Sequence, residues 1–234
     1  MRSQREHDLG VGLFQEGNLA GAFEHLFEAT ELDPYNAEAH LMLGKLFMIH
    51  RHDYERAEQH FQEALRAHEE VESRAGLPAD TRNSLGVLYI HWGRLEDAVE
   101  VLRASASDLM NRDPAVAWSN LGWAYLEMEN HQEALRVLRQ AVQLQPQLCL
   151  GWYRIGQVQS ELGETEEADR ALSRALDVDD DTCQRLQVAW RLRGEIRARM
   201  GHREEAIADL ERCVELSAET EDGQACQRML EASP

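Results

Sequence analysis

The chain has 234 residues, of which 43% are hydrophobic, and its 43 acidic residues against 24 basic ones give a formal net charge of −19. This apolar content is sufficient for a continuous core. A charge of this sign argues against nucleic acid or an anionic lipid surface as the main partner, because either polyanion would repel the protein.

The opening segment, MRSQREHDLG, lacks the apolar stretch of a signal peptide or membrane anchor. No later segment approaches the roughly 18 consecutive apolar residues of a membrane-spanning helix. We therefore expect a soluble chain, either as it stands or as the mature part of an exported protein whose leader has been removed.

Two series of small residues recur along the chain with a period close to 34 residues. The first series is Gly10, Gly44, Gly86, Gly122, Gly156 and Gly194. The second is Ala22, Ala57, Ala98, Ala134, Ala168 and Ala206, each followed four residues later by an apolar residue. Small residues mark places where helices press closely together, so the two series predict six antiparallel pairs of a helix A and a helix B.

Turn residues separate the predicted helices. Glycines between helix A and helix B are Gly17, Gly93, Gly163 and Gly201, and Asn130 follows the equivalent position of the fourth repeat. Pro34 and Pro146 end two repeats, where a proline opens the next helix without breaking one. This pattern resembles the tetratricopeptide repeat, which implies an all-α, right-handed superhelical solenoid.

The two series divide the chain into six repeats within a single domain, 1–234. The predicted repeats are approximately 3–36, 37–78, 79–114, 115–148, 149–186 and 187–218, followed by a C-terminal capping helix at about 219–232. The insertion at 66–80 predicts a lengthened helix B followed by a loop at Gly76 to Pro78.

The inner wall of such a solenoid is built from one face of each helix A, and it is where a binding site is expected. Through four repeats this wall is apolar, with Val11, Phe14, Leu41, Met48, Ile49, Val87, Ile90, Trp123 and Leu126. The same count from the glycine of helix A places His7, Lys45 and His91 on this wall. In the last two repeats the wall becomes polar, with Tyr153, Gln157, Ser160, Glu161, Arg191, Glu195, Ala198 and Arg199. An exposed apolar patch favours a partner that lays an amphipathic helix or extended segment along it. The alternative is that neighbouring helices A cover some of these side chains.

Catalysis, a metal site and a cofactor are not expected. No phosphate-binding glycine loop or nucleophile elbow is present, and paired carboxylates such as Glu166 and Glu167 lie on exposed faces or turns. The histidines show no ligand spacing with cysteines or carboxylates. We therefore predict a non-enzymatic protein.

The four cysteines leave the compartment open. Cys213 with Cys226 would staple the capping helix in an oxidising compartment, and Cys149 with Cys183 is the other candidate pair. Burial of the thiols as small apolar groups is the alternative.

The order of several segments resembles a particular group of these proteins. The segments are LGVGLFQEGNLAGAFEHLFEATELDPYNAEAHLMLGKLF, NSLGVLY, VLRASASD, WSNLGWAYLEM and ALRVLRQAVQLQP. Together they are similar to the type IV pilus secretin pilotins of the PilF, PilW and Tgl group, over about the first five repeats. The insertion at 66–80 departs from that pattern.

The resemblance implies a monomeric, lipid-anchored protein on the periplasmic face of the outer membrane. Its partner would be a secretin subunit, whose assembly it would promote for type IV pilus biogenesis and motility. Met1 to Ser3 would then stand near a removed leader and a lipidated cysteine, neither of which the sequence contains. The alternative is a cytoplasmic scaffold or adaptor that binds a different peptide in the same groove.

Overall fold

The computed structural model describes residues 1–71 and 76–232, and in these residues the chain is helical with no strand. The α-helices of the described part are α1 (Arg2–Gln15), α2 (Leu19–Leu32), α3 (Ala37–Leu46), α4 (Tyr54–Glu70), α5 (Leu77–His91), α6 (Leu95–Ala106), α7 (Pro114–Glu127), α8 (His131–Leu144), α9 (Cys149–Glu161), α10 (Thr165–Leu176), α11 (Asp181–Gln184), α12 (Gln187–Met200), α13 (Arg203–Leu216) and α14 (Glu221–Ala232). The predicted all-α class is confirmed.

The chain forms two compact units, Met1–Ala124 and Tyr125–Pro234. In the first unit α1 packs on α2, α3 on α4, and α5 on α6. In the second unit α9 packs on α10 and α12 on α13, while α14 lies against α13. These pairs are the helices A and B that the sequence predicts, and α14 occupies the place of the predicted capping helix.

Each helix pair is held together where a glycine of helix A meets a large side chain of helix B. A Cβ atom added to Gly10 would lie 2.7 Å from Leu26 Cγ, and one added to Gly194 would lie 2.9 Å from Leu210 Cγ. Gly44, Gly86 and Gly156 face Phe61, Leu102 and Leu172 in the same way. The large residue is always the one that follows the helix B alanine by four positions. The glycines of the first series are therefore in contact with the large residues that follow the alanines of the second series. Only a glycine lets the two helices approach this closely.

A residue with left-handed backbone ends helix A in every repeat. Four are the predicted glycines, Gly17, Gly93, Gly163 and Gly201, with φ between 77° and 82°. The other two are His52 (φ 51°) and Glu129 (φ 57°), which carry a Cβ in this region. Asn130 comes directly after Glu129 and caps α8, since its side-chain oxygen accepts a hydrogen bond from the Glu133 amide at 3.3 Å.

The insertion lengthens helix B of the second repeat, as predicted, because α4 runs for 17 residues. Residues 72–75 of the insertion lie outside the described residues. The predicted loop at Gly76 to Pro78 is wrong in part, because α5 already begins at Leu77 and Pro78 lies in its first turn. A proline is well placed there, since the first amides of a helix have no intrahelical acceptor.

Two disulfides lie in the second unit. One joins Cys149, at the start of α9, to Cys183 in α11, with 5.7 Å between the Cα atoms. The other joins Cys213 in α13 to Cys226 in α14, with 6.3 Å between the Cα atoms. Both candidate pairs that the sequence left open are therefore bonded, and the second one fastens α14 to the last repeat.

Candidate partner-binding surface

The predicted binding residues come from every helix A of the first unit. Val11 and Phe14 lie on α1, Leu41 lies on α3, and Met48 and Ile49 follow directly after α3. Val87 and Ile90 lie on α5, and Trp123 lies on α7. Leu126, also on α7, belongs to the second unit.

Four of the nine side chains offer little surface. Leu41, Met48 and Ile90 are between 6% and 9% exposed in the first unit, and Leu126 is 6% exposed in the second. Leu41 has His7, Met42, Lys45 and Leu77 around it, all lining one cavity of about 150 Å³. Close packing of the helices therefore buries part of the apolar wall that the sequence predicts. The partner-binding role of the nine residues stays a prediction.

Five of the predicted side chains retain exposed apolar surface. Ile49 is 54% exposed, and Val11, Phe14, Val87 and Trp123 are half-buried. We call these five residues the exposed apolar set. They include the two aromatic residues of the prediction, which offer the largest contact area.

A π-helical turn, Phe47–Arg51, carries Ile49. It continues α3 and ends at His52, whose left-handed backbone closes the turn. Within it Met48 is buried and Ile49 is exposed, as Ile90 and His91 are at the equivalent positions of α5. The turn accommodates one extra residue, and such turns are frequent at functional sites.

Histidines stand beside both aromatic residues of the exposed apolar set. The ring of Phe14 meets that of His50 edge-on at 5.8 Å between centroids, and Trp123 meets His91 edge-on at 5.2 Å. Both histidines are exposed. His91 occupies a predicted inward position of helix A, whereas His50 lies one position after the predicted inward residue Ile49, within the π turn.

One cavity of the first unit brings together residues of three helices A. His7 of α1 and Leu41 and Lys45 of α3 line the same cavity of about 150 Å³, which also includes Leu77 of α5. His7, Leu41 and Lys45 are inward positions by the sequence count. Equivalent faces of α1 and α3 are thus brought together in the first unit.

In the last two repeats, several polar side chains at predicted inward positions are bonded to one another or to the capping helix α14. Arg199 Nη2 donates to Ser160 Oγ at 3.0 Å, and Arg191 Nε donates to Asp222 Oδ1 at 2.6 Å. Arg191 also pairs with Glu195 one turn further along α12. Burial raises the pKa of the nearby Tyr153 to about 12, so its hydroxyl stays neutral. These side chains form an internally satisfied polar surface.

Two histidine clusters in the first unit are not visible in the linear sequence. His40 and His60 lie with their Nδ1 atoms 3.1 Å apart, and burial lowers the pKa of both, that of His60 to about 4. Among the described residues, one group has potential metal-ligand atoms within 4.8 Å: Glu6, His25 and Glu28. His25 binds Glu6 at 2.8 Å, and Glu28 pairs with Arg2 at 3.5 Å, so protein partners already engage these groups.

None of the helices in residues 1–71 and 76–232 combines the length and the apolar character that spanning a membrane requires.

Sequence comparison places tetratricopeptide repeats along most of the chain. Models of this family match residues 35–107, 115–148, 151–182 and 189–220. A relative is the type IV pilus assembly protein PilF of Pseudomonas aeruginosa, 28% identical over 145 residues. The match covers 61% of this chain and 54% of PilF, so the chain aligns with about half the length of that relative.

Solved structures share the fold. That of Pseudomonas aeruginosa PilF superposes with a TM-score of 0.76 at 19% identity, covering 97% of each chain. The crystal structure of PilW, a widely conserved type IV pilus biogenesis factor, gives 0.79 at 16% identity and covers 96% of this chain and 98% of PilW. The anaphase-promoting complex assembly Cut9–Hcn1 gives 0.78 at 15% identity, covering 98% of this chain and 42% of that one.

The fold is thus shared with proteins of different tasks, and repeats of this kind form protein-binding scaffolds. Repeat models, helix pairing and the glycine contacts agree with one another. The chain belongs to the tetratricopeptide repeat family and is related to type IV pilus biogenesis factors.

Proposed function

We propose that the protein is a pilotin, a non-enzymatic module that binds secretin subunits and promotes their assembly in the outer membrane for type IV pilus biogenesis. The observation that carries this proposal is the sequence relationship to PilF over 145 residues. The fold shared with PilF and PilW is compatible with it, although a fold alone does not fix a task.

The exposed apolar set is the proposed docking surface. Ile49, Phe14 and Trp123 offer aliphatic and aromatic area that water solvates poorly, next to the exposed rings of His50 and His91. An amphipathic segment of an unassembled secretin subunit would bury its apolar face there. Binding of this kind would keep the segment from aggregating until it meets the neighbouring subunits.

The cysteines support a periplasmic location, on the inner face of the outer membrane. All four are in disulfides, and disulfides persist in oxidising compartments such as the bacterial periplasm. Anchoring through an N-terminal lipid is part of the proposal and comes from the family resemblance.

Capture of the purified secretin subunit tests the docking surface. The double variant Phe14→Glu/Trp123→Glu and the single variant Ile49→Glu place carboxylates in the proposed interface, and we expect each to weaken capture about tenfold or more. Ile49 is 54% exposed, so its variant keeps the fold even if the half-buried pair does not. Leu162→Glu is the matched control, because Leu162 is 45% exposed and lies in the second unit.

Equal capture of the secretin subunit by wild type, Ile49→Glu and Leu162→Glu would contradict the proposed docking surface.

The alternative, a cytoplasmic adaptor, is tested separately by alkylating free thiols in intact cells before lysis. Protected thiols agree with the periplasmic location, whereas four alkylated cysteines in the folded protein contradict it and favour the adaptor.

A further inference from the structure

The second unit contains a cavity of about 410 Å³ between α8, α9 and α10, well apart in sequence from the exposed apolar set. Its lining includes three guanidinium groups, those of Arg139, Arg170 and Arg174, and one carboxylate, that of Glu167. The lining thus carries a net charge of about +2 in a protein whose formal net charge is −19. Such a local reversal concentrates anions.

Two of the three arginines keep their charge available. Glu167 Oε1 accepts a hydrogen bond from Arg170 Nη2 at 2.6 Å and so neutralises that group. Within the described residues, Arg139 and Arg174 have no carboxylate partner. The positive charge of these two guanidinium groups is therefore not neutralised by a carboxylate of the described residues.

Trp152 fixes one of these arginines. The guanidinium carbon of Arg174 lies 4.7 Å from the centroid of the Trp152 ring. The indole is itself held, because its Nε1 donates to the Pro146 carbonyl at 2.8 Å. A stacked guanidinium keeps the edge of its planar fork free for a carboxylate and loses little entropy on binding.

Gln159 adds an unsatisfied acceptor to the same cavity. Its side chain lines the cavity and is only 8% exposed, yet its Oε1 has no hydrogen-bond partner. A buried amide oxygen without a donor costs free energy, so such groups are rare unless a ligand completes them. The missing partner must be a donor, and a fully deprotonated anion such as sulfate does not supply one.

We propose that this cavity binds an acidic segment of a polypeptide, with an aspartate or glutamate carboxylate held by Arg139 and Arg174 and a backbone N–H donated to Gln159 Oε1. The two requirements, an anion and a donor in the same cavity, are met together by an acidic side chain and the main chain that carries it. Inorganic sulfate, which has no O–H group at neutral pH, meets only the first.

Fluorescence titration of the full chain tests the proposal with three probes. They are a blocked pentapeptide with glutamate at its second position and aspartate at its fourth, its glutamine and asparagine counterpart, and inorganic sulfate. We expect the acidic peptide to bind with a Kd on the order of 0.1–1 mM and to weaken as salt rises. The neutral peptide should not bind.

Substitutions of the cavity-lining residues test whether the peptide binds in this cavity. Arg139→Gln/Arg174→Gln should weaken binding of the acidic peptide about tenfold or more, because two charge-assisted hydrogen bonds are lost. Gln159→Met should weaken binding of the acidic peptide and leave binding of sulfate unchanged. Arg212→Gln is the matched control, since it makes one of the same charge changes on an exposed ion pair of α13.

Several results would overturn the proposal. The site is absent if the acidic peptide does not bind wild type, or binds Arg139→Gln/Arg174→Gln as tightly as it binds Arg212→Gln. Sulfate binding as tight as peptide binding, with no effect of Gln159→Met on either, would show a simple anion site and contradict the polypeptide assignment. None of these results depends on secretin, so the experiment tests this inference independently of the proposed function.

Discussion

Arg193 and Asp209 form a buried, two-pronged ion pair between α12 and α13. Arg193 Nε lies 2.8 Å from Asp209 Oδ2, and Arg193 Nη2 lies 2.7 Å from Oδ1. The two side chains are 8% and 3% exposed. Arg197 adds a third hydrogen bond to the carboxylate, at 3.0 Å. Arg193 precedes the helix A glycine, where the other repeats carry leucine or isoleucine, so the sixth repeat replaces an apolar contact with an ionic one.

Removing the carboxylate should strongly destabilise the second unit. Asp209→Ala leaves the Arg193 guanidinium buried without its counter-ion, and we expect it to lower the free energy of unfolding by about 3 kcal/mol or more. Urea denaturation followed by circular dichroism measures this loss. The double variant Arg193→Leu/Asp209→Leu removes both charges and gives an apolar pair like Leu85 and Val101 at the equivalent positions of the third repeat. It should lose much less, since Arg197 keeps Asp169 at 2.7 Å. Equal losses in the two variants would contradict this account.

How far the sequence predicts the fold depends on whether a feature repeats. The Gly10 to Leu26 contact recurs in other repeats with the same spacing, so periodicity alone locates it. The π turn at Phe47–Arg51 occurs once among the described residues, and its one signal in the sequence is the single extra position between Gly44 and Ala57. Buried partners across helices, such as Asp209 for Arg193, have no linear spacing that reveals them.

Glu129 offers a stabilising substitution. Its φ of 57° places a side chain in the left-handed region, where the equivalent turns of four other repeats use glycine. Relief of the steric cost, about 1–2 kcal/mol, exceeds the entropy that glycine adds to the unfolded chain, about 0.5–1 kcal/mol. Glu129→Gly should therefore raise the free energy of unfolding by about 0.5–1 kcal/mol, as measured by urea denaturation. Glu127→Gly, within α7, is the control and should destabilise.

The neutral pair of His40 and His60 should make the first unit sensitive to acid. His40 Nε2 faces the Pro34 carbonyl at 3.2 Å and therefore donates, which leaves its Nδ1 to accept from His60 Nδ1–H at 3.1 Å. Burial is the largest cause of the lowered pKa of both histidines, and the neighbouring His40 and Arg56 lower that of His60 further, whereas Glu63 and Asp33 oppose the shift at His40.

The sign of the pH effect follows from these shifts. Because the pKa of His60 is about 4 in the folded state and near 6.5 when unfolded, the unfolded chain binds more protons between those values. Stability is fully present above about pH 6.5 and declines as the pH falls towards 4. Thermal unfolding across this range should show a steeper loss of Tm in wild type than in His60→Phe, whose ring continues the stack on Phe47. Parallel curves for the two proteins would rule out a contribution from His60.

The disulfide between Cys213 and Cys226 should stabilise the end of the chain locally. It closes a loop with a sequence separation of 13, for which loop-closure entropy gives about 3 kcal/mol. Both residues are fully buried, so the test variant is Cys213→Ala/Cys226→Ala, which avoids burying a hydroxyl. Amide hydrogen exchange should show lost protection in α13 and α14 and unchanged protection in α1 to α6, because the bond constrains only the helices that it joins. Wild type reduced with dithiothreitol, which also breaks the bond between Cys149 and Cys183, should lose protection in α9 and α11 as well. Uniform loss of protection in both units of the double variant would contradict a local role for the Cys213–Cys226 bond.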